Sequence, residues 1–150
     1  MVAVIQRVSK ASVHIGGALK GGIKRGFLVL LGIHRQDLSE DVDWLSGKIS
    51  NMRVFTDSDG KMNLSLEEVD GEILLISQFT LHANTKKGNR PGFNEAAKPE
   101  KAIPLYEQMI EALTLKTGKK IQTGEFGADM QVDLINDGPV TIIIDTQNKK

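Results

Sequence analysis

The sequence predicts a mixed α/β fold, with mixed sheets and two main helices packed on one side. Runs rich in β-branched residues occur near both ends and in the middle of the chain, which is typical of strands. Two segments between them carry apolar residues at helical spacing. The resulting order is strands, helix, strands, helix, strands, which favours helices on one face of the sheets. We expect the 150 residues to form a single domain, 1–150.

The first third of the chain predicts three strands. Residues 2–8 and 11–15 are rich in valine and isoleucine, and each indicates a strand. Glycine pairs at 16–17 and 21–22 predict turns after them. Residues 27–33 are continuously apolar, which indicates a strand that is buried on both faces.

The first helix is predicted over residues 38–52. Asp37 and Glu40 have the spacing of a capping box at its start. Its inner face carries Val42, Leu45, Ile49 and Met52. A short strand at 53–55 follows, then a turn at 57–60, and a second turn at 70–71 leads into a strand over 72–81.

The second half predicts a long polar loop, a helix and two strands. The loop spans 82–98, and loops of that length in a compact domain are usually functional or mobile. The helix after it ends near Gly118, and Pro104 is either its first residue or the site of a kink. Its inner face carries Ile103, Tyr106, Met109, Ile110 and Leu113. Strands at 130–135 and 140–145 are joined by residues 136–139, which read as a turn.

Composition excludes several classes of function. The chain has no cysteine, which rules out disulfides, a thiolate nucleophile and thiolate-bound metal. Its three histidines are scattered, so we expect no metal site and no cofactor. Apolar runs are too short to span a membrane and no signal peptide is evident, so we expect a cytoplasmic protein. The net charge of zero disfavours coating of long nucleic acids but leaves binding of a short RNA end open.

Polar residues at the end of the predicted strand 72–81 are the first candidate site. Ser77, Gln78 and Thr80 interrupt an otherwise apolar run, and strand ends are where rigid backbone meets solvent. A nucleophile at Thr80 or Ser77 activated by His82 is one hypothesis, because Thr80 and His82 would share a strand face. No carboxylate is placed to orient the imidazole, and local bonding of the hydroxyls to the backbone remains the plainer interpretation.

Two further segments are ambiguous from the sequence. Gly138-Pro139 reads first as a turn, although a Gly-Pro pair before a strand also accommodates a cis peptide. Phe126 and Met130 flank glycines and form either an apolar slot for a flat ring or ordinary core. Basic residues in or beside the long loop are either solvated surface or phosphate contacts; they are Lys86, Lys87, Arg90, Lys98 and Lys101.

Taken together, these segments resemble the D-aminoacyl-tRNA deacylase family over nearly the whole chain. The matching segments are 1–8 with Gln6-Arg7-Val8, Gly60-Lys61-Met62-Asn63, Ser77-Gln78-Phe79-Thr80-Leu81, Arg90-Pro91, 126–130 and Asn136-Asp137-Gly138-Pro139-Val140-Thr141. The Ser-Gln-Phe-Thr-Leu and Asn-x-Gly-Pro-Val-Thr motifs are specific as a pair. Gly92, where the family commonly has serine, and Pro104 depart from the pattern.

The resemblance implies a three-layer β/β/α fold and a homodimer with active sites at the subunit interface. Gly138 and Pro139 match the family's cis dipeptide, which is inserted into the partner's pocket, and Arg7 matches the arginine that holds it. The facing pocket wall matches Ser77, Gln78, Phe79 and Thr80. Phe126 and Met130 match residues around the terminal adenosine of tRNA.

The implied activity is hydrolysis of the ester bond of D-aminoacyl-tRNA, and of glycyl-tRNA as well. In this hypothesis the rigid dipeptide collides with the β-carbon of an L-amino acid, so that selection is steric. Amides near Phe79 and Thr80 stabilise the oxyanion, and the RNA 2′-hydroxyl takes part rather than Thr80. Two alternatives remain: a hydrolase using Ser77 or Thr80 with His82, and a non-catalytic module that binds RNA ends or nucleotides.

Overall fold

The computed structural model of the chain describes residues 1–150, which form a six-stranded sheet, a two-stranded sheet and two α-helices. The strands are β1 (Val2–Ile15), β2 (Ala18–Ile23), β3 (Gly26–Gly32), β4 (Phe55–Thr56), β5 (Met62–Leu64), β6 (Glu72–Ser77), β7 (Gln122–Thr123) and β8 (Gln131–Asp145). The helices are α1 (Ser39–Asn51) and α2 (Pro99–Thr117), and a short 3₁₀ helix covers Phe79–His82. The mixed α/β class predicted from the sequence is confirmed.

The long strand β1 organises the large sheet. One of its edges pairs antiparallel with β8, and the other pairs antiparallel with β3 and then β2. The prediction of two separate strands at 2–8 and 11–15 is therefore wrong, because one strand of 14 residues runs through both. Gly16 and Gly17 do turn the chain, with φ of 56° and 79°. The second glycine pair does not, since Gly22 lies inside β2 opposite Ser12.

The far side of the sheet is parallel. β3 pairs with β6 and β6 pairs with β7, both in parallel. The strand predicted over 72–81 ends earlier, at Ser77, because the chain there turns into the 3₁₀ helix. The short strand expected at 53–55 lies slightly later as β4, which pairs with β5 in the small sheet.

Helix α1 matches its predicted span to within one residue at each end, but its cap differs. The backbone N–H of Leu38 donates to the Asp41 carboxylate at 2.9 Å, so Asp41 takes the capping role expected of Glu40. Asp37 is instead fully buried, where it accepts from the α-ammonium group of Met1 at 2.6 Å and from the His34 N–H at 2.6 Å.

Helix α2 begins five residues before Pro104, so the alternative in which Pro104 starts the helix is wrong. Pro99 is its first residue, where the missing N–H costs nothing, and Pro104 lies inside the helix. The predicted end near Gly118 is confirmed, since Gly118 has φ of 67° and its N–H donates to the Thr114 carbonyl at 2.9 Å.

The C-terminal strand differs most from expectation. The sequence predicts two strands joined by a turn, yet β8 is one strand of 15 residues that follows β1 antiparallel throughout. A hairpin at 136–139 is therefore wrong, because residues on both sides of it pair with the same edge of β1 in the same direction. The long edge of β1 overrides the local turn preference.

Two apolar cores lie on the two faces of the sheet. Phe27, Val29 and Leu31 of β3 face the larger core, which α1 and α2 cover. Leu28 points to the opposite face and belongs to a second core together with Val13 of β1. At this core the part of the sheet formed by β1, β2 and β8 folds over the part formed by β3 and β6. This alternation gives the three layers β/β/α that the family resemblance implies. Neither helix is long and apolar enough to cross a membrane.

Candidate functional site

Strands β3 and β6 end at the same edge of the sheet because they are parallel. Ser77 is the last residue of β6 and lies beside Leu31. The N–H of Gln78 still donates to the Leu31 carbonyl at 2.8 Å, after which the 3₁₀ helix begins. Gly32 permits this tight packing, since a Cβ there would lie 3.0 Å from the Gln78 carbonyl oxygen. The absence of a side chain at Gly32 thus lets the 3₁₀ segment rest on β3.

A cavity of about 300 Å³ opens beside this edge. Its lining includes Ser77, Gln78 and Phe79 together with Phe126 and Met130, which all come from sequence motifs predicted to be functional. Further lining residues are Leu31, Ile33, Ile76, Ala97, Ala102, Gly127, Ala128, Asp129 and Val132. Gly127, Ala128 and Asp129 belong to the segment 126–130 that matches the family, whereas the other six are small or apolar residues in ordinary strand, helix and loop patterns and carry no local signal.

Phe126 and Met130 are half-buried on the cavity wall. The ring of Phe126 lies 5.9 Å from that of Tyr106, whose hydroxyl donates to the Leu75 carbonyl at 2.9 Å. Burial raises the pKa of Tyr106, so its hydroxyl keeps its proton and remains a donor. Met130 packs against the second core. Both side chains therefore pack against the cores and also line the cavity, so the two interpretations open from the sequence are both met in part.

Thr80 lies next to the cavity but does not line it. Its side chain is exposed, and its hydroxyl oxygen accepts a hydrogen bond from the side-chain amide of Gln78. Thr80 and His82 belong to a 3₁₀ helix rather than a strand, so the prediction that they share one face is wrong.

His82 points into the protein. Its Nε2 atom is buried with no hydrogen-bond partner, and its ring meets that of His34 edge-on at 5.3 Å. Burial lowers the pKa of His82 because a charged imidazolium is poorly solvated there. His34 bonds to Glu95 at 3.1 Å. Neither imidazole is hydrogen-bonded to the Thr80 hydroxyl, which removes the support for a threonine–histidine pair.

Arg7 forms the second group of predicted site residues together with Gly138 and Pro139. Its guanidinium is almost fully buried and donates to the Asp137 carbonyl at 2.8 Å and the Val54 carbonyl at 2.6 Å. A Cβ on Gly138 would lie 3.0 Å from an Arg7 terminal nitrogen. The arginine therefore lies directly beneath the dipeptide and ties it to the chain before β4.

The Gly138-Pro139 peptide bond is cis, and the dipeptide lies on a bulge of β8. Asn136 pairs with Val8 and Thr141 pairs with Gln6. Between these two pairs β8 advances by five residues, whereas β1 advances by two. The Asn136 side chain spans the bulge, accepting from the Val140 N–H at 2.9 Å and donating to the Thr141 hydroxyl at 3.0 Å. These bonds give a structural reason for the spacing of asparagine, valine and threonine in the Asn-x-Gly-Pro-Val-Thr motif. The sequence alone had assigned no role to that asparagine.

The two groups do not meet within one chain. Gly138 and Pro139 are exposed, and neither they nor Arg7 line the 300 Å³ cavity. A larger open groove of about 830 Å³ lies between β1, β2 and β8, and none of the predicted site residues lines it. We place the candidate site at the smaller cavity because it collects five of them. No group of three or more histidine, aspartate or glutamate side chains is arranged to hold a metal ion.

A family model described as "D-Tyr-tRNA(Tyr) deacylase" matches residues 4–145. The chain belongs to that family. The resemblance stated from the two motifs is thereby confirmed, and the deacylase family is one of hydrolases. The match covers both groups of site residues, from Arg7 at one end to Pro139 at the other.

Relatives of this deacylase family match over their full length. A D-aminoacyl-tRNA deacylase of Cytophaga hutchinsonii is 62% identical over 150 residues, covering 100% of both chains. One from Bacteroides fragilis is 59% identical with the same coverage.

Solved structures show the same fold. The structure of a c-Myc DNA unwinding element binding protein has a TM-score of 0.91 and 43% identity, covering 97% of this chain and 99% of that one. A "probable eukaryotic D-amino acid tRNA deacylase" has a TM-score of 0.81 at 17% identity, covering 95% and 97%, which shows the fold alone. The deacylase-type β/β/α architecture expected from the sequence is confirmed.

Proposed function

We propose that this protein hydrolyses the ester bond of D-aminoacyl-tRNA and releases the free amino acid and tRNA. The observation that carries the proposal is the cavity, which brings the Ser77–Phe79 wall together with Phe126 and Met130. The names of its full-length relatives support the substrate. We place the reaction in the cytoplasm, where tRNA is charged and used.

The apolar side of the cavity suits the terminal adenosine. Phe126 offers a ring and Met130 a polarisable thioether, and both kinds of group pack well against a flat base. A cavity of about 300 Å³ is at the small end for ligand sites, which fits one nucleoside or aminoacyl group rather than a longer RNA segment. The rest of the tRNA then lies outside the cavity.

The chemistry needs positioning more than an activated side chain. The N–H groups of Phe79 and Thr80 begin the 3₁₀ helix, and the first N–H groups of a helix have no partner inside it. Pointed at the ester carbonyl, they stabilise the oxyanion that forms when water attacks. The neighbouring 2′-hydroxyl of the ribose assists, because nothing in the chain takes the Thr80 proton. We therefore expect Thr80→Ala to retain much of the activity when single-turnover deacylation is measured.

Selection by handedness is assigned to Gly138-Pro139 from a second copy of the chain. The dipeptide is exposed on β8, and the free edge of that strand is paired with nothing, so it is accessible to another subunit. Inserted into the partner's cavity, its backbone occupies the direction that the β-carbon of an L-residue takes. A D-residue points elsewhere and glycine has no β-carbon, so D-aminoacyl-tRNA and glycyl-tRNA are accepted.

The first experiment compares D-tyrosyl-tRNA with L-tyrosyl-tRNA. We expect rapid release of D-tyrosine and preservation of the L-ester, with glycyl-tRNA as a third substrate. Hydrolysis of both enantiomers would refute selection by handedness. Saturable tRNA binding with no release of either would instead favour the non-catalytic RNA-end or nucleotide-binding module.

A second experiment tests the shared site. Ala128→Trp fills the cavity, and Arg7→Ala releases the dipeptide. Each variant alone is expected to keep about 1% of wild-type activity or less. When equal amounts are refolded together, half of the dimers are mixed and each holds one intact site, so about a quarter of wild-type activity should return. No recovery in a mixture shown to contain mixed dimers would place both halves of each site in one subunit.

A further inference from the structure

The long loop after the 3₁₀ helix contains a small basic hairpin, residues 84–92. It closes through two backbone bonds, from the Asn84 N–H to the Gly92 carbonyl at 2.7 Å and from the Gly92 N–H to the Asn84 carbonyl at 3.0 Å. The Asn84 side chain also accepts from the Lys86 N–H at 2.9 Å. Between the two closing residues every side chain is exposed. The basic hairpin is thus a defined projection rather than part of the core.

Its charge is of one sign. The basic hairpin carries Lys86, Lys87 and Arg90 and no carboxylate, whereas the whole chain balances 19 basic against 19 acidic residues. None of these three cations forms an ion pair, while Arg35 and Lys119 elsewhere are paired with carboxylates. A chain without net charge attracts a polyanion only through such a local excess.

The base of the basic hairpin is fixed to the cavity wall. The ring of Phe93, directly after the hairpin, meets the ring of Phe79 edge-on at 5.1 Å, and Phe79 lines the cavity. Glu95 then anchors the returning chain, because its carbonyl accepts from the Arg35 N–H at 2.9 Å. An extended chain covers at most about 3.6 Å per residue, so Lys86 and Lys87 lie within roughly 11 Å of Asn84.

We propose that the basic hairpin binds the sugar–phosphate backbone of the RNA substrate close to its aminoacylated end. The inference rests on the proposed function, which puts the RNA 3′ end in the cavity beside Phe79. From there the strand leaves past the hairpin, and up to three phosphates are neutralised without any reading of sequence. The contact serves every tRNA alike, which an enzyme for varied amino acids requires.

The test removes the three charges together in a K86Q/K87Q/R90Q variant. Its matched control is K48Q/K116Q/K120Q, three exposed lysines on the helical side. Lys116 lies 14 residues along α2 from Ala102 of the cavity wall, which is about 21 Å of helix. Thermal unfolding of both variants confirms that surface replacement leaves the fold intact.

The first readout is binding of uncharged tRNA, measured by fluorescence anisotropy between about 50 and 200 mM salt. Each phosphate contact contributes about 0.7 to 0.9 to the slope of log affinity against log salt, so the triple variant should lose about 2 to 3 from that slope. The control variant should keep the wild-type slope. Equal slopes for wild type and triple variant would overturn the proposal, and the cations would then suit an acidic protein surface instead.

The second readout is hydrolysis of D-tyrosyl-tRNA beside a D-tyrosyl ester of adenosine alone. The triple variant should raise KM for the tRNA by about tenfold or more at low salt and leave the small ester unaffected. A loss on both substrates would mean that the hairpin acts on the cavity and would overturn the proposal. If the wild-type protein hydrolysed neither substrate, the proposed function would be contradicted. The binding measurement would still decide whether the basic hairpin binds RNA.

Discussion

The two groups of predicted site residues are built in opposite ways. The cavity group consists of side chains that are held by packing, at the edge of two parallel strands and against both apolar cores. The dipeptide group is exposed backbone on a bulge of β8, held by the bonds of Arg7 and Asn136. Packing gives a cavity with some freedom to adjust, whereas a buried guanidinium with hydrogen bonds in fixed directions gives a rigid support. Steric rejection of L-amino acids requires the rigid support, which is the hydrogen-bonded guanidinium.

The largest effect is expected at the support of the dipeptide. Arg7→Ala removes the bonds to the Asp137 and Val54 carbonyls and frees the bulge. Displacement of about 1 Å at a reacting centre costs on the order of 100-fold in rate, so kcat/KM for D-tyrosyl-tRNA should fall by that order, and discrimination against the L-ester should fall with it. Steady-state deacylation of both enantiomers measures this.

The matched control for that change is Arg53→Ala. Arg53 also donates to a backbone carbonyl, that of Asn63 at 2.6 Å, but it is not part of either site group. Its removal should leave rate and discrimination close to wild type. If Arg7→Ala kept the rate and the discrimination expected of Arg53→Ala, the dipeptide would be rigid without its arginine.

A smaller effect is expected where the cavity group adjusts. A methyl group at Gly124 would collide with the Met130 sulfur and lie 3.4 Å from Ile76 Cδ1. Met130 is flexible and moves away at a cost of about 1 to 3 kcal/mol, which reshapes the apolar slot. Gly124→Ala should therefore raise KM about tenfold and change kcat less, as measured on D-tyrosyl-tRNA. Gly47→Ala on α1 is the control, since the nearest atom to a Cβ there is Lys116 Cε at 3.9 Å, an ordinary van der Waals contact.

A third change probes how the core supports the cavity group. Tyr106→Phe leaves the buried Leu75 carbonyl without its hydroxyl donor, two residues before Ser77. The free energy of unfolding should fall by about 1 kcal/mol in a denaturant titration, while the ring and its contact with Phe126 remain. Activity per folded molecule should change little. A large loss of kcat in a stable Tyr106→Phe protein would show that the strand end is positioned by this bond.

The smallest expected effect is a change in pH dependence at His82. Because burial holds the pKa of His82 below its ordinary value, the unfolded chain takes up that proton at higher pH than the folded chain. Its contribution to stability is complete above about pH 6.5 and declines below it. The titratable groups around it are His34, Asp37 and the Met1 amine; His34 and the amine oppose its protonation, and Asp37 favours it.

The measurement is thermal unfolding of His82→Phe and wild type at about pH 7.5 and 5.5. The variant keeps a ring but cannot titrate, so its stability should fall less between the two values. His14→Phe is the control, because the His14 side chain is 32% exposed and lies near Asp133. If the stability of His82→Phe fell as steeply as that of wild type between the two pH values, groups other than His82 would cause the acid sensitivity.

Some elements were predictable because their signals are local. The apolar run of β3, the amphipathic face of α1 and the left-handed glycine after α2 each depend on a few neighbouring residues. The polar residues Ser77, Gln78 and Thr80 after the apolar run were also visible as a candidate site, although the strand was predicted to continue to residue 81. Its continuation was not, because the 3₁₀ helix depends on the bare backbone of Gly32 on a different strand.

Other predictions failed where long-range pairing competed with local preference. Asp137-Gly138 is a good turn sequence, but β1 offers a long edge, and pairing along it outweighs one turn. Asp37 has the residue type of a helix cap, yet it pairs with the Met1 amine 36 positions away. No local pattern reports such a partner.

The sequence by itself determined the class of fold, the identity of the two motifs and the residue types available for chemistry, because those follow from periodicity, composition and resemblance. The tertiary structure alone decided that Ser77, Gln78 and Phe79 share a cavity with Phe126 and Met130, and that Gly138 and Pro139 are exposed and do not line it. The reason is that a site is a set of distances between segments far apart along the chain. Those distances are set by strand register and core packing, which are properties of the folded molecule as a whole.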